Sequence, residues 1–119
     1  MRIESPAFVL RTYPFSEADR IVVLFSREEG KLRGVAARAA ASRKRFGGAL
    51  SVLAEVEACY REREGRELGR LDSCRLLAAT PGEGRDLEAF YVCCYVAEIL
   101  EQVSREREAD DPLYRLTRT

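Results

Sequence analysis

Two short segments early in the chain, Ala7 to Tyr13 and Arg20 to Ser26, are dense in Val, Ile, Leu and Phe and bounded by turn-forming residues, which predicts strands rather than helices. Pro14 to Asp19 reads as the turn between them. Ile21-Val22-Val23-Leu24-Phe25 is apolar at every position, so this strand is expected to be covered on both faces. Ser26 to Gly30 supplies the next turn, with a glycine where positive φ is needed, and a third strand follows from Lys31 to Ala37. The clearest period lies further on: Val52, Ala54, Val56, Ala58 and Tyr60 alternate with Leu53, Glu55, Glu57, Cys59 and Arg61, giving a half-buried fourth strand. A charged stretch from Glu62 to Glu67 with one glycine suits a hairpin, and Leu68 to Leu76 returns as a fifth strand. Between strands three and four, Arg38 to Gly48 is Ala-rich and ends in paired glycines, which fits a loop or a short helix stopped by glycine.

Thr80-Pro81-Gly82-Glu83-Gly84 breaks the strand pattern, and from Asp86 to about Glu108 the period becomes helical. Leu87, Phe90, Cys94 and Ala97 fall on one stripe of that helix, and Val92, Tyr95, Val96, Ile99 and Val103 on another. So wide an apolar surface exceeds what a small barrel can cover, and part of it is expected to stay bare within one copy of the chain. Asp110-Asp111-Pro112 ends the helix, and Leu113 to Thr119 reads as the start of a second. Five strands with an insert between the third and fourth is the order of an OB-fold. The expected class is therefore mainly β with C-terminal α: a five-stranded OB-fold Greek-key barrel followed by one long helix and the start of a second. Residues 1–79 would form the nucleic-acid-binding barrel, and residues 80–119 a linker with the first helices of a truncated helical domain.

Charge sharpens this picture. Acidic and basic residues balance at 20 each over 119 residues, yet residues 1–50 hold ten Lys or Arg against five acids, and the remainder holds ten against fifteen. Between Gly30 and Leu50 stand Lys31, Arg33, Arg38, Arg43, Lys44 and Arg45, with no acid among them. A one-signed run beside an apolar core gathers polyanions, which makes nucleic acid the first partner to consider. These six are the candidate phosphate contacts. Bases need flat partners, and Tyr13, Phe15 and Phe46 lie in or beside the bordering loops as candidate stacking rings, while Phe8 and Phe25, inside apolar strands, read as core.

Other chemistries are poorly supplied. The chain has no histidine, so Ser-His and Cys-His pairs are impossible, and no G-x-x-x-x-G-K-[ST] loop is present. Glu55 and Glu57 share a strand face, an arrangement that in a half-exposed strand is ordinarily just solvated. The four cysteines, at 59, 74, 93 and 94, form no Cys-x-x-Cys pair, so they read as reduced thiols acting as small hydrophobes, and neither a metal nor a cofactor is expected in this segment. No apolar run approaches the ~20 residues of a membrane span, and the N-terminus lacks a signal peptide's apolar region, so a cytoplasmic protein with no membrane contact is expected.

Ala7-Phe8-Val9-Leu10-Arg11, Phe15 to Val22 and Leu24 to Leu32 resemble the opening of the RecO family of bacterial DNA repair proteins. The similarity continues through Val35-Ala36, Ser42-Arg43, Arg45-Phe46, Gly48-Ala49-Leu50, Glu67 to Leu71, Ala97 to Leu100 and Pro112 to Leu116. Two departures stand out. Ala36 to Ala40 lacks the glycine that usually precedes the family's basic loop, and Ser51-Val52 replaces a Pro-Phe. The resemblance implies an N-terminal OB-fold, a helical domain represented here only by its beginning, and, in many members, a zinc site later in the chain. It also implies a recombination mediator that binds single-stranded and double-stranded DNA, anneals complementary strands, and works with RecR to load RecA. The tail of the single-stranded-DNA-binding protein would be received by the mostly absent helical domain. Two competing readings are a protein-interaction barrel that docks RecR or another subunit without touching DNA, and an enzyme acting through Cys59 or Cys74.

Overall fold

The computed structural model describes residues 2–39, 45–46, 49–63, 68–81 and 86–118. Its elements are β1 (Arg2–Pro14), β2 (Arg20–Ser26), β3 (Gly30–Ala36), β4 (Glu55–Arg61), β5 (Gly69–Ala78), α1 (Leu87–Val103) and α2 (Asp111–Arg118). The strands pair in the cyclic order β1-β2-β3-β5-β4, with β4 returning to β1, which makes an OB-fold-like barrel followed by two helices. Among the described residues no helix is long and apolar enough to cross a membrane.

Alternation along the strands creates two cores instead of one. Val9, Val22, Leu24, Leu32, Val56, Ala58, Tyr60 and Leu71 point into the barrel. Phe8, Leu10, Val23 and Phe25 point outward and are roofed by Ala97 and Leu100 of α1 and Tyr114 of α2. The continuous apolar run of β2 is thereby explained, since it is covered on both faces as its pattern required.

Among the described strands, β3 and β5 pair in parallel, through the short seam Gly34↔Gly69 and Val35↔Arg70. Tyr60 of β4 seals it, its hydroxyl donating to the Arg33 carbonyl at 3.1 Å. A Cβ on Gly69 would lie 2.4 Å from that ring, so the seam needs glycine for space. At the β2–β3 turn Gly30 has φ +69, in the region where only glycine is unstrained.

Three boundaries differ from the sequence pattern by more than two residues. β1 begins at Arg2, five residues early, where it pairs along the length of β4. β4 begins at Glu55, because Ser51 to Ala54 forms a turn against the bulge of β1: Leu53 has φ 57 and donates to the Val9 carbonyl at 2.7 Å. α1 ends at Val103, not near Glu108, because residues 104–109 leave the helix to run beside β3. Its start is as read: the Asp86 side chain caps the Glu88 and Ala89 N–H groups at 3.0 and 3.3 Å.

The stripe of α1 that meets the barrel is Cys93, Ala97 and Leu100, whose two small side chains let the helix lie close to β1. It is rotated by about one residue from the stripe Leu87, Phe90, Cys94 and Ala97 read from the pattern. Of the other apolar stripe, Val92, Tyr95, Ile99 and Val103 are bare as expected, between 41% and 66% exposed, with Tyr91 open beside them, whereas Val96 lies close enough to the barrel-facing side to pack partly against the outer core.

Candidate nucleic-acid interface

The β1–β2 connection is organised by one carboxylate. Asp19 Oδ1 accepts the Arg38 N–H at 2.9 Å and Oδ2 accepts the Ser16 hydroxyl at 2.9 Å, while the Phe15 N–H donates to the Asp19 carbonyl at 3.0 Å. The Arg38 N–H first, and the Ser16 hydroxyl second, hold the Asp19 carboxyl below its ordinary value. Arg38 itself sits at φ 53, within the stretch that lacks the family's glycine, and its bond to Asp19 offsets the cost of a left-handed arginine. This staple joins the β1–β2 turn to the start of the β3–β4 connection and leaves the Phe15 ring 55% exposed.

Across from Phe15, the end of β4 and the start of β5 bring up guanidinium groups. Arg61 and Arg70 are register partners. Both reach the same carboxylate: Arg61 forks onto Asp72 at 2.9 and 3.0 Å, and Arg70 Nε lies 3.2 Å from it. Asp72 is thus shared between Arg61 and Arg70, Arg63 adds a third cation, and Glu62, which lines the same edge, is engaged by Arg107. Between these walls lies an open cleft of about 810 Å³, lined by Phe15, Asp19, Ala37, Arg61, Arg63 and Arg70 among others. An aromatic wall, a cationic wall and a floor made by β3 suit a flexible polyanion with flat bases.

The structure divides the six cations of the basic run. Arg38 is exposed beside the cleft rim. Arg45 reaches the same rim, its guanidinium bonded to the Ala37 carbonyl and lying 5.0 Å over the Phe46 ring. Lys31 and Arg33 turn the other way: the Lys31 ammonium donates to the Glu101 carbonyl at 2.8 Å, and Arg33 pairs with Glu106 at 3.0 Å. Arg43 and Lys44 lie outside the described residues.

The three candidate rings also separate. Phe15 alone lines the cleft in the open. Tyr13 is half-buried beside Lys31 and Arg33, with the Arg11 guanidinium 4.8 Å from its centroid. Phe46 is a core residue, 2% exposed inside the barrel, which removes its ring from the surface. Arg61, Arg63 and Arg70 escape charge counting because each stands among acids, which returns a balanced loop; the β4–β5 register sets Arg61 beside Arg70, and Arg63 lines the same cleft.

The thiols take no part in this surface. Cys74 is buried between the strands, and desolvation pushes its thiol up to about 12.

Comparison with known proteins agrees in direction. The family model described as the N-terminal region of recombination protein O matches residues 1–80. The DNA repair protein RecO of Koribacter versatilis is 46% identical over 96% of this chain and 47% of its own length. Its namesake in Syntrophotalea carbinolica is 39% identical over 94% of this chain and 43% of its own, and that of Anaeromyxobacter sp. strain Fw109-5 is 37% identical over 97% and 45%. The chain thus spans less than half the length of these curated relatives.

Proposed function

Because the chain belongs to the RecO family of DNA repair proteins, we propose that it is the non-catalytic DNA-binding part of a recombination mediator, holding single-stranded DNA on its barrel. In that role it supports strand annealing and the loading of RecA with RecR in the cytoplasm, with double-stranded DNA as a second ligand. The observation that carries the reading is the cleft between Phe15 and the Arg61–Arg63–Arg70 edge. It opens between the β1–β2 and β4–β5 connections, the pair of loops with which OB-folds grip oligonucleotides. Arg38 and Arg45 extend its cationic rim, and Phe15 offers a ring on which any base can stack, so recognition runs through phosphates with little sequence preference. A thiol enzyme acting through Cys74 is disfavoured, since a sulfur raised to about 12 carries almost no thiolate near neutrality.

The test is anisotropy of a labelled oligonucleotide across a salt series. Engagement of Arg38, Arg61, Arg63 and Arg70 predicts a slope of log K against log salt near ~−3 for a single strand, before any contribution from Arg45 and its neighbours. Replacing Arg63 and Arg70 together by Ala flattens it by ~1.4. Phe15→Ala leaves the slope intact and costs ~1–3 kcal/mol. Replacing Arg43, Lys44 and Arg45 together asks whether the rest of the basic loop adds a further ~2 to the slope. Wild-type affinity in the Arg63/Arg70 variant, with its fold intact by circular dichroism, would refute the cleft as the DNA site. Absence of any oligonucleotide binding would favour a barrel that docks protein alone.

A further inference from the structure

After α1, residues Ser104 to Ala109 form a strap along the first half of β3. The Lys31 N–H donates to the Arg105 carbonyl at 3.0 Å and the Arg107 N–H to the Lys31 carbonyl at 3.1 Å, a parallel bridge that occupies the β3 edge ahead of its seam with β5. The approach is close: a Cβ on Gly30 would sit 2.0 Å from the Glu108 carbonyl oxygen. Side chains tie the strap down as well. Arg33 Nη2 donates to Glu106 Oε1 at 3.0 Å, and Arg107 pairs with Glu29 at 2.7 Å and with Glu62.

This strap borders a second groove, of about 570 Å³, lined by Tyr13, Arg33, Tyr60, Leu68, Glu106 and Arg107 among others. Leu68 also lines the cleft described above, so the two openings lie on either side of one side chain, along the outer face of β3 that carries Arg33 and Val35. A strand leaving the cleft along β3 would next reach Arg33, and there it would meet the carboxylate of Glu106. Carboxylate and phosphate oxygens satisfy a guanidinium with the same geometry, so the two compete for one group. The competition is open to DNA because the pair is exposed, 46% at Arg33 and 57% at Glu106, where ion pairs are weak.

We propose that Glu106 is a built-in competitor of the DNA backbone for Arg33, so that the strap limits how far along β3 a bound strand extends. The inference rests on the cleft being the single-stranded-DNA site. With Glu106 in place the cationic track ends near Ala37; when it is displaced, Arg33 adds one phosphate contact and the track lengthens.

The experiment uses the whole chain and labelled oligo(dT) in the same salt series. Glu106→Gln keeps the side chain's size and removes its charge. It should tighten binding severalfold at low salt and steepen the slope by ~0.7, the increment for one phosphate contact. Glu98→Gln makes the same change in net charge on the exposed side of α1 and should leave the slope where it was. Arg33→Ala should cost more in the Glu106→Gln background than in the wild type, cancelling the gain. A Glu106→Gln protein that binds with wild-type affinity and slope overturns the proposal, as does a gain that Arg33→Ala fails to remove. If the Arg63/Arg70 variant weakens binding while Glu106→Gln does nothing, the competitor fails and the cleft stands; if wild type binds no oligonucleotide, both fall.

Discussion

Tyr114 fastens the helical part of the molecule to the barrel, and replacing it tests that attachment directly. Its ring is fully buried, 4.8 Å by centroid from Phe8 and 5.7 Å from Phe25, and its hydroxyl donates to Glu55 Oε2 at 2.7 Å. Glu55 is itself 7% exposed on the outer face of β4, and Arg118 Nη2 and Nε also donate to its Oε2, at 2.7 and 3.2 Å. Tyr114→Phe keeps the ring and removes one hydrogen bond to a charged group, worth about 1.5–3 kcal/mol. Because Arg118 still satisfies the carboxylate, the lower part of that range applies, about 1.5–2 kcal/mol. Tyr114→Ala also empties the space between the two phenylalanines and should cost about 4–5 kcal/mol. Urea denaturation followed by circular dichroism reads both as a lower midpoint at unchanged m, and the Phe variant should melt roughly 5–10 °C lower. A double-mutant cycle with Glu55→Gln should return a coupling of at least about 1 kcal/mol. Burial first, and the Glu55 carboxylate second, push the phenol above its ordinary value of 10.0. The neutral form is thus the one the fold holds, and stability contributed by the hydroxyl is present below that pH and declines as pH rises past it. A Tyr114→Phe protein within about 0.5 kcal/mol of wild type, or additivity with Glu55→Gln to the same margin, would refute the reasoning.

Two further outcomes follow from the rest of the packing. Cys74, raised to about 12, should resist thiol reagents at pH 8 in the folded chain and label only on unfolding, while half-buried Cys94 labels first; rapid native labelling of Cys74 by mass spectrometry would contradict its burial. The two faces of α1 should respond in opposite ways: Leu100→Ala, on the barrel side, should cost about 2–4 kcal/mol, whereas Val92→Ser, on the bare side, should stay within about 0.5 kcal/mol and reduce binding of a hydrophobic dye.

Features set by neighbours in sequence were legible from it. The period of Val56, Ala58 and Tyr60, the all-apolar run of β2, the glycine at position 30 and the onset of helical period at Asp86 each express a local rule, and the strand order they imply is the barrel observed. The bare stripe of α1 was legible for the same reason, because its apolar width exceeds what one small barrel can cover.

What tertiary structure decided depends on groups far apart in the chain. Glu55 reads as a solvated strand carboxylate, yet it is buried because Tyr114, fifty-nine residues later, donates to it. Residues 104–109 have helical composition, yet β3 offers backbone bonds and ion pairs that a continued helix could not make. Phe46 sits in a basic loop, yet its ring gains more by filling the barrel than by waiting at the surface. Arg61 and Arg70 are neutralised on paper by adjacent acids and become one cationic edge only through the β4–β5 register, while Lys31 and Arg33, counted as part of one basic run, are drawn away by the end of α1 and by the strap respectively. Charge totals along a chain record which groups exist; which of them face the same solvent is set by strand pairing, and strand pairing is a property of the closed barrel.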